Sequence, residues 1–219
     1  MRRTRATSAA DAASPSGTRR LSLRVLPQPF YDRDTELVAR DLLGRVLECT
    51  RRGVTCRGII SETEAYLGEH DPACHAAVGR TARTEGLYGP PGTAYVYFIY
   101  GRYWCVNAVT RAEGLPSAVL IRGVVPLAGI AAMRRRRGAT ARRAGDHALA
   151  NGPGKLCMAF GIDGPTHHGA DLVRGTTLRI LHGAPVDDAL VTVTPRIGIS
   201  KAREWPLRYV IEGTGDGRR

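Results

Sequence analysis

Lysine is nearly missing from this chain: of 32 cationic side chains only Lys155 and Lys201 are lysines, which leaves few amines for covalent Schiff-base chemistry. No window approaches 18 uninterrupted apolar residues, and this excludes a membrane-spanning helix. The five cysteines, Cys49, Cys56, Cys74, Cys105 and Cys157, are odd in number and never approach a CxxC spacing. Reduced, packed thiols are therefore expected, not a disulfide scaffold or a thiolate metal site. The first 20 residues hold Arg2, Arg3, Arg5, Arg19 and Arg20 without an apolar block, so no secretory signal is expected and the protein should stay in the cytoplasm. Internal repeats are also lacking. What is there, 43% hydrophobic and 24% charged residues over 219 positions, suits one globular domain with a real core.

Negative charge is in short supply, with 20 acidic residues against those 32 cations and a net charge of +12. The arginine, alanine and glycine bias reflects a GC-rich genome as readily as a function. The net excess is a separate matter, because it concentrates and steers polyanions, and nucleic acid is the expected partner. Residues 1–26 carry six Arg and one Asp, a net +5, which leaves +7 on the remainder. The densest run, Arg134 to Arg137 with Arg142 and Arg143, has two readings, a solvated helix end or a phosphate contact.

Residues 1–26 show no periodicity and read as a disordered basic arm, followed by a folded domain over 27–213 and a flexible tail over 214–219. Asp34 is a plausible N-cap for a helix whose one side carries Leu37, Val38, Leu42 and Leu43 and which Gly44 could end. The period then changes to two. Arg45 to Cys49 and Val54 to Tyr66 read as antiparallel strands joined near Arg51, Arg52 and Gly53. Thr93 to Thr110 reads as a long aromatic hairpin turning at Gly101, and Ala118 to Val125 as a further apolar strand. Pro126 to Arg137 and Pro153 to Phe160 are expected as helices, with Thr177 to Leu181, Leu190 to Val193 and Leu207 to Ile211 as closing strands. The whole predicts a mixed α+β domain, an antiparallel sheet partly covered by helices.

If alternation persists along Val54 to Tyr66, Glu62 and Glu64 share the more apolar face with Cys56 and Ile60. Two readings stand at this point. One is a salt-bridged strand end; the other is a partly desolvated carboxylate with a pKa raised toward general-base use. Arg122 interrupts the apolar run Ala118 to Val125 and calls for a carboxylate partner. Five of the eight tyrosines lie between Tyr88 and Tyr103. A cross-strand ladder explains most of them, yet Tyr100-Gly101-Arg102 at a turn has little core to enter and equally suits insertion into a base stack.

In GIISETEAYLG, GPPGTAYVYFIYGRYWCVNAV, VLIRG, NGPGKLCMAFGI and PRIGIS, in this order, the chain resembles the alkyladenine (3-methyladenine) DNA glycosylase family from about Phe30 to Ile211. That resemblance implies a single α+β domain with a curved antiparallel sheet, flanking helices and a protruding β-hairpin. It implies a base-excision repair enzyme that flips alkylated or deaminated purines out of duplex DNA and hydrolyses the N-glycosidic bond with an activated water. Glu64 matches the family's general base, Arg122 the arginine that positions the water, and the main-chain carbonyl of Ile197 a third anchor. Tyr66, His75 and Tyr97 match the side chains around the flipped base, Asn107 the amide that disfavours guanine, and Tyr100 the ring that fills the vacated space. Arg80, Arg83, Arg102, Tyr103 and Lys155 are assigned to the DNA backbone. Double-stranded DNA with damaged purines is thus the expected partner of a monomer without cofactor or metal; the spacings around Cys74, His75, His70, His167 and His168 fit no common zinc site.

Further expectations follow. Tyr97 and Asn107 can line one pocket only if the hairpin loop has an odd number of residues, Tyr100 to Arg102, pairing Tyr97 with Cys105; a two-residue turn would put them on opposite faces. With Lys155 at a helix start, a monofunctional hydrolase is expected over a strand-cleaving enzyme. The stretch Gly79 to Tyr88 departs from the family pattern at Ala82 and Thr84, and Arg102 replaces a usually apolar neighbour of the wedge. The rival to an enzyme is a protein that binds distorted duplex by intercalation without breaking bonds.

Overall fold

The computed structural model describes residues 24–214. After Pro27 a single turn, α1 (Gln28–Tyr31), leads to α2 (Thr35–Leu42). Asp34 caps α2 by accepting from the amides of Glu36 and Leu37, two of the donors a helix start leaves unpaired. The buried positions are Thr35, Val38, Ala39 and Leu42, spaced three and four apart. Leu37 falls outside that stripe and is 57% exposed, so the sequence expectation was wrong there.

Strands β1 (Val46–Arg51) and β2 (Val54–Tyr66) are joined by Arg52 and Gly53, whose φ values of 50° and 74° give the left-handed turn that matches strand twist. The hairpin of β3 (Ala94–Ile99) and β4 (Tyr103–Val109) pairs Ile99 with Tyr103, Tyr97 with Cys105 and Tyr95 with Asn107. Its loop is the three residues Tyr100 to Arg102, as pocket geometry required.

Next comes β5 (Ala118–Ala128), which runs through Pro126, where a helix was expected. Pro126 pairs with Gly58 at a register shift, a place where a missing N–H leaves no gap in the ladder. Helix α3 (Ile130–Arg137) starts only after Gly129, which turns the chain at φ 79°. Helices α4 (Pro153–Phe160) and α5 (Gly164–His167) follow, then β6 (Leu178–Leu181), β7 (Val191–Thr194) and β8 (Arg208–Ile211).

The result is an α+β domain with an open antiparallel sheet in the order β3-β4-β5-β2-β1-β6. One edge of β2 is shared, β1 pairing with Val54 to Ile59 and β8 with Glu62 to Glu64, while β5 takes the other edge. Glu62 to Glu64 is thereby internal to the sheet. Two register shifts against β5 bracket Glu62 and break the period-two alternation at Ser61. A one-residue slip exchanges the faces, so Glu62 and Glu64 do not continue the face of Ile60. Thr63 instead turns to the helix side and donates to the carbonyl of Ala39 on α2, and Glu64 points away from it.

The arginine run on α3 is largely structural. Arg136 donates to the carbonyls of Ala159 and Phe160 at the end of α4, and Arg134 to those of Ala141 and Ala144. Arg135, Arg142 and Arg143 stay exposed. Leu26, placed in the basic arm by composition, is fully buried, with its amide on Ile180, so ordered packing reaches into the expected arm; the arm's residues 1–23 and the tail's 215–219 lie outside the described residues.

Two glycines test this packing. At Gly44 (φ 81°) an added Cβ would stand 2.2 Å from the Ala184 carbonyl oxygen, whereas at Gly101 (φ 61°) it would meet nothing within 4 Å. Urea unfolding should show Gly44→Ala losing at least about 3 kcal/mol and Gly101→Ala about 1 kcal/mol. The reverse order would contradict the structure.

Candidate active site

Strand alternation turns Tyr95 and Tyr97 on β3 and Cys105 and Asn107 on β4 to one side, and with Ala118, Leu120 and Arg122 of β5 they line a cavity of about 750 Å³. Tyr66 at the end of β2, the loop Pro72 to His75, the start of α4 and the segment Ile197 to Lys201 complete the wall. The volume lies within the ~300–1,000 Å³ usual for ligand sites. Of the residues singled out from sequence, Tyr66, His75, Tyr97, Tyr100, Tyr103, Asn107, Arg122, Lys155 and Ile197 all line it.

Glu64 lies one layer behind that wall and is fully buried. Its Oε1 accepts from the Ile197 amide at 2.8 Å and faces Arg122 Nη1 at 3.2 Å, while Oε2 accepts from the Tyr66 hydroxyl at 2.9 Å. All three partners are themselves cavity residues. Burial raises the Glu64 pKa; the charge of Arg122, the Ile197 amide and the Tyr66 hydroxyl act against that rise. Burial and the neighbouring carboxylate push the Tyr66 phenol well above its ordinary value, so it remains a donor.

Arg122 holds both members of the carboxylate pair. Its Nε donates to Glu62 Oε1 at 2.8 Å, and Arg208 Nε donates to the same oxygen at 2.6 Å. Two anions and two cations thus neutralise one another at exposures of 0–7%. His75 Nδ1 lies 3.0 Å from the Tyr95 hydroxyl, which also donates to the carbonyl of Arg83, and its ring meets Tyr97 edge-on at 4.5 Å. Burial, then the charge of Arg83, lowers the His75 pKa and keeps the imidazole neutral near pH 7. Asn107 donates to the Tyr95 carbonyl at 2.9 Å.

Tyr100 stands at the hairpin tip, 79% exposed with φ 54°. Arg83 and Arg102 are exposed away from the cavity wall, and Arg80 is held by both oxygens of Glu85. Lys155 donates to Asn151, and both lysines of the chain line the cavity. Thr84, in the divergent loop, is buried and donates to the Gly79 carbonyl, closing that loop. His167 contacts Asp163 and Cys49, and His168 accepts from the Val96 amide. Sequence reasoning did not find Arg196 and Asp71. They form a fully buried bidentate pair behind Tyr66, 125 positions apart, and no local pattern announces such a contact.

Glu62→Ala leaves Arg122 and Arg208 buried with one carboxylate between them and should cost about 3–5 kcal/mol in chemical denaturation. Glu64→Gln, which leaves Arg122 on Glu62, should cost about 1–2 kcal/mol. Equal losses would mean that the network does not hold charge as its distances indicate.

A model of the methylpurine-DNA glycosylase family matches residues 29–215. Relatives with the provisional designation 3-methyladenine DNA glycosylase occur in Carboxydothermus hydrogenoformans, 44% identical over 188 residues that cover 86% of this chain and 95% of that protein. Another from Rubrobacter xylanophilus is 49% identical over 173 residues, covering 79% and 86%, and one from Methanocella arvoryzae is 46% identical over 186 residues, covering 84% and 89%.

Proposed function

The chain belongs to the methylpurine-DNA glycosylase family, and from that premise we propose that it is a monofunctional DNA glycosylase. It turns an alkylated or deaminated purine out of duplex DNA into the cavity and hydrolyses the N-glycosidic bond with a water activated by Glu64. One observation carries this reading: a buried carboxylate clasped by Arg122, the Ile197 amide and the Tyr66 hydroxyl, all three of which line a cavity walled by aromatic rings.

A carboxylate offers about four acceptor positions. Two on Oε1 and one on Oε2 are taken, which leaves one on Oε2 for water. Seating a base against Tyr66 displaces its hydroxyl from that oxygen and admits the water beside the anomeric carbon. The C–N bond breaks with its electron pair leaving on the base, which neutralises an alkylated cation and makes of a deaminated purine an anion that takes a proton from solvent. The water oxygen bonds the anomeric carbon as Glu64 takes its proton, and the Glu64 charge stabilises the cationic sugar, a contribution of ~10² to 10⁴ in rate for the proton transfer alone.

Extrusion costs about a few kcal/mol and least for a damaged base, and each aromatic stack returns ~1–3 kcal/mol. Tyr66 and Tyr97 supply the stacking surfaces, with His75 at the base edge and Asn107 reading the purine. Tyr100 enters the helix from the hairpin tip. Arg83, Arg102, Tyr103 and Lys155 contact phosphates; Arg80 reaches one only by giving up Glu85. The remaining charge excess draws the duplex in.

The rival, a binding protein that marks distorted duplex by intercalation, draws on the exposed Tyr100 and the complete cover over Glu64. Base release from duplexes containing 3-methyladenine, hypoxanthine or ethenoadenine separates the two. The wild type should release base, and Glu64→Gln should bind the same duplex within a few fold while release falls by ~10² or more. A wild type that binds and releases nothing would favour the rival.

The pH profile gives an independent check. Glu64 must be ionised to act, and burial raises its pKa, so release should fall on the acid side with a midpoint above the ordinary glutamate value. His75, its pKa lowered by burial and by the charge of Arg83, adds no limb above pH 7. A midpoint at or below the ordinary glutamate value would remove Glu64 as the base.

A further inference from the structure

Tyr66 is in contact with a cation before any ligand arrives. The guanidinium carbon of Arg196 stands 4.7 Å from the centre of its ring and 6.0 Å from that of Trp205. Tyr66 lines the cavity whereas the Arg196 side chain is fully buried and outside the lining, so the ring separates Arg196 from the space assigned to the base. Asp71 accepts from both Nη atoms, Nη2 to Oδ1 at 2.8 Å, and Nη1 also donates to the Ala65 carbonyl at 3.0 Å. Asp71 in turn accepts from the amides of Leu67 and Ala73, which anchors the pair to the loop that carries His75.

An aromatic face attracts cations through its quadrupole, and a cation on one face draws π density toward itself. The opposite face then attracts a second cation less. A purine stacked at ~3.5 Å on the front of Tyr66 would sit roughly 8 Å from the guanidinium, close enough for like charges to repel in a desolvated site. Asp71, bonded to both Nη atoms of the guanidinium, offsets part of that repulsion. A neutral purine meets no such penalty, because its stacking depends on contact area and dispersion.

We propose that Arg196, held by Asp71, is a specificity-determining residue that acts through Tyr66 and lowers the preference of the pocket for cationic alkylated purines relative to neutral ones. This rests on the reading of Tyr66 as the stacking surface of a glycosylase. Single-turnover release of 7-methylguanine, a cationic base, and hypoxanthine, a neutral one, gives the test in the full-length protein. The double variant Asp71→Asn/Arg196→Gln removes both charges together and keeps hydrogen-bonding groups in place. Its 7-methylguanine to hypoxanthine rate ratio should rise roughly two- to tenfold over wild type. Arg196→Lys retains the charge and should keep the wild-type ratio.

A double variant in which both rates fall together, with the ratio unchanged, would make the pair merely structural and overturn the proposal. Should that variant not fold, Tyr66→Leu decides. A ring whose rear face already holds a cation keeps only a small charge preference, so its loss should slow both substrates by the same factor to within about twofold. A loss many times greater for 7-methylguanine would overturn the proposal. A wild type that releases neither of these bases nor 3-methyladenine refutes the glycosylase reading itself, whereas release of both with an unmoved ratio refutes only the role of Arg196.

Discussion

The structure turns on one buried contact: Arg122 bridging Glu62 and Glu64. Isolated ions at this depth would each cost several kcal/mol, and Arg122 gives both carboxylates of an internal strand a shared opposing charge. Arg208, from the neighbouring β8, supplies the second cation and balances the set. The same neutralisation that makes the strand foldable also maintains a carboxylate in a desolvated place, where charges are little screened.

Around that centre the sheet solves a positioning problem. Glu64 is covered by three groups, and each of them opens onto the cavity. Backbone pairing on both edges of Glu62 to Glu64 keeps the strand still, and the bulge at Ser61 aims the two carboxylates away from α2.

The rear of the cavity wall is as ordered as its front. Arg196 and Asp71 join the end of β2, the His75 loop and the segment before Ile197 into one unit, and Ile197 is the residue whose amide holds Glu64. Two ion pairs therefore meet at Tyr66, one reaching its hydroxyl through Glu64 and the other its ring through Arg196.

Much of this was readable from residue order. The cap at Asp34, the turn at Arg52-Gly53 and the helix Pro153 to Phe160 depend on neighbours within a few positions, where propensity leaves little choice, whereas the odd hairpin loop followed from the family resemblance, which puts Tyr97 and Asn107 in one pocket. Charge, length and the ordered motifs likewise bounded the class of protein. Only the tertiary structure decided the bulge at Ser61, the path of β5 through Pro126, the exposure of Leu37 and the capping role of Arg136. It alone paired Arg122 with Glu62 across 60 positions and Arg196 with Asp71 across 125. A charge pattern states what a residue needs, but burial and distance in space determine which partner meets that need.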